Sequence, residues 1–245
     1  MNITKETTIG AIVAKDYRAA SIFNNSNIDF CCNGNRTIAT VCSEQNLSAD
    51  ELISQLQQTV SATAGNSDAV SDYKSWPLDL LADFIEKKHH RYVTTQIPVI
   101  QAYLEKIIRV HGDRHPELQE IKTHFDACAG ELTMHMKKEE LLLFPFIHKM
   151  VQTKQSGSKI TGAPFGTVQN PIRAMMHEHD IEGDRFRKIR ELSNDYNVPA
   201  DGCNTYSVTF ATLREFEEDL HLHIHLENNI LFPKSIELEE SFARE

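Results

Sequence analysis

The sequence has little of what marks membrane, secreted or nucleic-acid-binding proteins. Its longest apolar run, Leu141–Ile147, is far too short to span a bilayer. There is no basic surplus: 25 Lys and Arg stand against 35 Asp and Glu, and a net charge of −10 argues against a binder of nucleic acids or anionic membranes. The five cysteines are an odd number and two are adjacent, which does not suit a secreted disulfide framework. The opening residues, MNITKETTIGAIVAKDY, lack the sustained apolar stretch of a secretory signal. These absences lead to the expectation of a cytoplasmic protein. Strand-like alternation is missing too, so nothing competes with a helical reading.

What the chain does have is histidine, 12 in 245 residues, and long stretches of helical periodicity. Residues 1–58 read as a small helical module. Ile9, Ile12, Val13, Ala20 and Phe23 suggest a first short helix. Asp29-Phe30-Cys31-Cys32-Asn33-Gly34-Asn35 reads as a turn, a helix restarts near Thr37, and Ser48-Ala49-Asp50-Glu51 is a capping box opening another. Residues 59–75 read as a linker, rich in Ser, Ala, Thr, Gly and Asn over Thr59–Ser71. Residues 76–245 then hold four long helical segments, expected at Pro77–Val110, Pro116–Val151, Val168–Tyr196 and Tyr206–Phe232. Pro98 should kink the first, and Gln152–Asn170 should be a long surface loop. The fold class expected is all-α: a helical amino-terminal module followed by an antiparallel four-helix bundle.

Segments two and four carry the same pattern. His135-Met-Lys-Lys-Glu139 leads to Phe144-Pro145, and His223-Ile-His-Leu-Glu227 leads to Phe232-Pro233. Such a repeat implies a pseudo-two-fold bundle of two helical hairpins, with the prolines marking helix ends or kinks. At about 100° per residue, positions i and i+4 lie within about 40° of each other, so each histidine and glutamate can reach one cation. Ile121, Cys128, Leu132 and Phe146 share the arc of His135 and Glu139, whereas Glu140 falls about 140° away. Phe216 and Leu220 share the arc of His223 and Glu227, with His221 and His225 pointing elsewhere. In segment three Ile172, Met175, Met176 and Phe186 surround the phase of His179 and leave His177 opposite. In segment one the phase mildly favours His89 over His90 and does not settle the choice.

An unpaired buried carboxylate costs several kcal/mol, so two inward glutamates each beside an inward histidine call for a cation. Buried His⁺–Glu⁻ pairs are the alternative without metal. Four histidines and two glutamates fit two ions, each on two histidines with the carboxylates bridging, and the donors suit iron, manganese or zinc. A ferritin-like template would use Glu86-x-x-His89 and Glu218-x-x-His221, but His221 is on the outward side of its helix.

The doubled H-x-x-x-E, the segment Glu178-His179-Asp180 and the L-F-P endings resemble the haemerythrin-like domain. Upstream, Asp29-Phe30-Cys31-Cys32-Asn33-Gly34 resembles the amino-terminal module of the bacterial repair of iron centres family, di-iron proteins for iron–sulfur cluster repair. Together the two cover nearly the whole chain. The resemblance implies two non-haem iron ions on His90, His135, Glu139, His179, His223 and Glu227, and here it selects His90. Oxygen-carrying haemerythrins have H-x-x-x-H in the third helix; this chain has Gly183 at the second position, which leaves coordination open for reactivity or iron release. The implied role is protection of damaged iron–sulfur proteins in the cytoplasm, through a carboxylate- and oxo-bridged centre that donates iron after nitrosative or oxidative stress. Rival expectations are a sensor or carrier of nitric oxide or oxygen, and an enzyme such as a nitric oxide reductase that takes its electrons from outside. No nucleic acid or membrane partner is expected, and a homodimer is compatible with the sequence. Cys31 and Cys32 are candidates for a redox or iron-relay role, because a following helix amino terminus would lower a thiol pKa. Cys42, Cys128 and Cys203 read as structural or incidental.

Overall fold

The computed structural model describes residues 3–61, 72–160 and 162–243, and among them no β-strand forms. The amino-terminal module holds α1 (Ile9–Lys15), α2 (Ala19–Asn25), α3 (Ile38–Gln45) and α4 (Ala49–Ser61). Where one first helix was expected there are two, with a turn at Asp16–Arg18 between them, in which Asp16 is buried. Thr37 caps α3 by accepting a hydrogen bond from the Thr40 N–H (3.2 Å), and Ser48 Oγ accepts from the Glu51 N–H (3.3 Å) at the start of α4. Residues 59–61 of the expected linker complete α4; 62–71 lie outside the described residues.

The bundle begins with α5 (Leu78–Phe84), a π turn (Ile85–His90) and α6 (Arg91–His111). A tight connection reverses the chain into α7 (Glu117–Lys138), a second π turn (Glu139–Leu143) and α8 (Phe144–Ser156). The second hairpin is α9 (Gln169–Leu192) followed by α10 (Asn204–Leu226), a third π turn (Glu227–Leu231) and α11 (Phe232–Ala243). α6 packs on α7 and α10, and α7 packs on α9; α8 packs on α5 and α11 at the far end.

The second segment runs on to Ser156, five residues into the expected loop, and three further differences have identifiable reasons. The third segment stops at Leu192 because Asn194, Asp195 and Tyr196 take left-handed φ of 50°, 58° and 57°. The fourth continues past Pro233 to Ala243, since a proline one residue into a new helix has no N–H bond to lose. The interruption of the first segment is the π turn upstream of Pro98, which itself lies inside α6.

Two apolar cores result. One holds Val93, Leu132, Met136, Phe186, Leu220 and Ile224 and is continuous with Ile9, Ile12, Phe23 and Phe30 of the amino-terminal module. The other holds Ile85, Leu143, Met175, Leu226 and Ile230. His90, His135 with Glu139, His179, and His223 with Glu227 fall between residues of the first core and residues of the second. A polar layer therefore crosses the bundle between two hydrophobic ones. Met176, expected inward, is 40% exposed.

Candidate metal centre

The polar layer gathers all six residues that the resemblance pointed to. His90, Glu139, His223 and Glu227 form one set of donors, and His135, Glu139, His179 and Glu227 form another. All six side chains are buried. His90 Nε2 lies 3.4 Å and His135 Nε2 3.2 Å from Glu139 Oε2. His179 Nε2 lies 3.1 Å from Glu227 Oε2, and His223 Nε2 3.0 Å from Glu227 Oε1. Each carboxylate thus faces one histidine of each set.

The repeated motif sets this geometry through its π turns. In an unbroken α-helix Phe144 would lie about 180° from His135, on the far side; the extra residue of a π turn takes back about 100°. Phe144 accordingly turns inward and stacks on His90 (5.6 Å between centroids, 19° between planes). Phe232 does the same on His179 (6.0 Å, 2°). Both π turns open on the motif's glutamate, so glutamate and phenylalanine can both face the layer.

The outer nitrogens of the histidines are held unequally. His135 Nδ1 is 2.9 Å from Glu178 Oε2, and Lys138 donates to the same carboxylate. His90 Nδ1 is 3.1 Å from Glu140 Oε1, and the other oxygen of that carboxylate, Oε2, accepts from Lys137. His179 Nδ1 is 2.9 Å from Asn228 Oδ1. His223 Nδ1 is buried without a hydrogen bond. His89 is buried too, but it pairs through Nδ1 with Asp219 (3.0 Å) and stacks on His223 (5.6 Å, 10°) rather than joining either donor set. These partners went unassigned in the sequence, although a signal existed: Glu140 and Asn228 each follow the motif glutamate, and Glu178 immediately precedes His179.

Charge fits a cation. Glu139 Oε1 and Oε2, Glu227 Oε2 and His90 Nε2 are buried with no hydrogen bond of ordinary geometry. Burial and the Glu227 charge push Glu139 up, yet His135 and His90 more than offset this and hold it below the usual carboxylate range. Burial likewise opposes ionisation of Glu227, and His223 and His179 hold it well below that range. Burial pulls the His135 imidazolium down, but Glu139, Glu178 and Glu227 raise it to about 10. Protons on His135 and His90 stand where a cation would bind, and orphaned oxygens face the same space. The residues present fit a resident metal.

The cysteine turn docks directly on this layer. Cys31 O accepts from Asn228 Nδ2 (3.2 Å) and Asn229 Nδ2 (3.3 Å), so Asn228 joins the turn to His179. Cys32 Sγ donates to the His179 carbonyl (3.4 Å), and a Cβ added at Gly183 would meet that sulfur at 3.3 Å. Cys32 Sγ thus packs where a side chain at position 183 would begin, and it belongs to neither donor set. His225 is buried against Phe30 (5.9 Å) and Tyr17 (6.0 Å) of the module rather than pointing to solvent. The thiol expectation is corrected: α3 starts only at Ile38, and the hydrogen bond with Cys32, burial and Asp29 push Cys31 well above its usual range.

Comparison with known proteins agrees with this arrangement. Residues 81–235 match the hemerythrin HHE cation binding domain, and residues 5–60 match the ScdA_N domain, described as a domain of unknown function. The iron-sulfur cluster repair protein YtfE of Yersinia pseudotuberculosis serotype O:1b is 33% identical over 232 residues, covering 95% of this chain and 97% of the relative. The chain belongs to the YtfE family. The YtfE of Yersinia pestis strain Pestoides F is 32% identical over the same coverage. In this YtfE-family chain the two matched regions are the cysteine-bearing module and the bundle that it docks on. No helix among the described residues is long and apolar enough to cross a membrane.

Proposed function

We propose that this protein holds two iron ions in the polar layer and supplies iron to damaged iron–sulfur clusters in the cytoplasm. The observation that carries the reading is the pair of donor sets sharing Glu139 and Glu227, each completed by two histidines. One ion would sit on His90 and His223, the other on His135 and His179, with the two carboxylates common to both. Imidazole and carboxylate donors suit iron, and the bound pair supplies a store of releasable metal.

The chain's own groups tune that store. Glu178 and Glu140 orient His135 and His90 through their outer nitrogens, and Lys138 and Lys137 balance the added carboxylate charge. Asn228 orients His179 and ties it to Cys31. Cys31 and Cys32 are well placed for a relay between the layer and the outside. The repair names of relatives covering 95% of the chain favour this reading over gas sensing or transport.

Anaerobically purified protein should carry two irons per chain. Loaded with a Mössbauer-active isotope, it should pass labelled iron into the cluster of an iron–sulfur enzyme inactivated by nitric oxide and restore its activity. Stoichiometric zinc in the native protein, or restored activity with no label in the acceptor cluster, would sink the reading.

A further inference from the structure

We propose that Asp29, Cys31 and Cys32 form a third metal site, separate from the histidine and glutamate layer, that takes a thiophilic divalent cation such as iron(II). One ligand atom from each residue falls within 4.8 Å of the others. The two sulfurs are 3.7 Å apart, and Cys31 Sγ is 3.3 Å from Asp29 Oδ1. Two metal–thiolate bonds of about 2.3 Å at a tetrahedral angle hold their sulfurs about 3.8 Å apart, so the pair can chelate with almost no rearrangement. A vicinal disulfide would instead draw them together to about 2.05 Å.

The turn is already shaped for this. Asp29 Oδ1 accepts from the N–H of Cys31 (3.1 Å) and of Cys32 (3.0 Å), which fixes the carboxylate beside both thiols. Its other oxygen accepts from Asn33 Nδ2 (2.8 Å) and Arg187 (3.2 Å). Two thiolates and a carboxylate around a divalent ion leave one negative charge, and the Arg187 guanidinium offsets it. On binding, each thiol releases its proton to solvent as its sulfur bonds to the ion. Solvent reaches the turn through a cleft of about 490 Å³ that Asp29, Cys31, Gly183 and Arg187 help to line, leaving a coordination position for water or an acceptor's ligand.

Placement suggests the role. Cys32 touches the His179 carbonyl and Cys31 reaches His179 through Asn228, so the site stands between the metal layer and the cleft. Resting in this respect on the iron-donor reading, it is a stop for iron leaving the layer.

The test is titration of cobalt(II) into full-length protein whose layer already holds iron, anaerobically and with a phosphine reductant. The expected result is one further ion per chain with a thiolate-to-cobalt charge-transfer band in the near ultraviolet. Cys31→Ser/Cys32→Ser protein should lose the band and keep the iron content of the layer. Asp29→Asn should raise the cobalt needed for half-saturation about tenfold or more. No band in the unaltered protein at saturating cobalt, or a band surviving in the double variant, overturns the site. Either result with iron still bound in the layer and transferred to an acceptor leaves the repair reading standing, whereas a layer that takes no iron sinks that reading alone.

Discussion

Glu139 and Glu140 are neighbours in the chain with opposite duties. Glu139 is fully buried and faces both donor sets, whereas Glu140 lies behind His90 and fixes its ring. Glu139→Gln should therefore cost the protein most of its metal, while Glu140→Gln should keep full loading at an affinity lower by about 10–100-fold. Elemental analysis and chelator competition distinguish the two; equal losses would contradict the assignment. The same site makes metal binding pH-dependent. With His135 raised to about 10, and His90 raised against its burial penalty by Glu139 above all, the metal-free layer holds protons that a cation must displace. Affinity should rise between about pH 6 and about pH 8, with proton release on binding measurable by calorimetry in buffers of different ionisation enthalpy. For the metal-free protein the sign is opposite. A raised histidine stabilises the fold fully below its ordinary 6.5, and the gain is lost as pH rises through about 10, so melting temperature should fall across that window.

At the scale of elements, the π turns do what the spacing of the motif alone does not. The sequence pattern places His135 and Glu139 on one face, and that part of the site was legible from helical phase. Phase could not foresee that Phe144 would join them, because it assumes a constant turn per residue. Inserting one alanine after Leu141, which is 70% exposed and lies in the second π turn, adds about 100° that the turn does not absorb and should rotate Phe144, Ile147 and Met150 away from the core. The expected cost is at least about 3–5 kcal/mol, that of removing one buried aromatic ring. Leu141→Ala should stay within about 0.5 kcal/mol of the parent. Denaturant unfolding measures both, and an insertion as mild as the alanine variant would show that the phase of Phe144 does not depend on this turn.

Across the whole molecule, the amino-terminal module and the bundle share one core and meet at the cysteine turn. Their approach needs Gly34: a Cβ there would sit 2.7 Å from Asn229 Oδ1 of the bundle, and 2.5 Å from the Phe30 carbonyl within the turn. Gly34→Ala should push the turn off Asn228 and Asn229 and speed hydrogen exchange of Cys31 and Cys32, with metal content in the layer unchanged. Unaltered exchange would show that the turn holds without that close contact. The sequence by itself determined the all-α fold, the doubled motif and the choice of Glu139, His179 and His223 over their neighbours. These follow from periodicity within one helix, where side-chain direction depends on residue number alone. Helical phase left His89 and His90 open, and the resemblance selected His90. Tertiary structure brings His90 to the donor groups and pairs His89 with Asp219, supports the four histidines unequally, and lays Cys32 over Gly183. Each of those depends on where a second helix or a distant turn comes to lie, and no count along a single helix contains that distance.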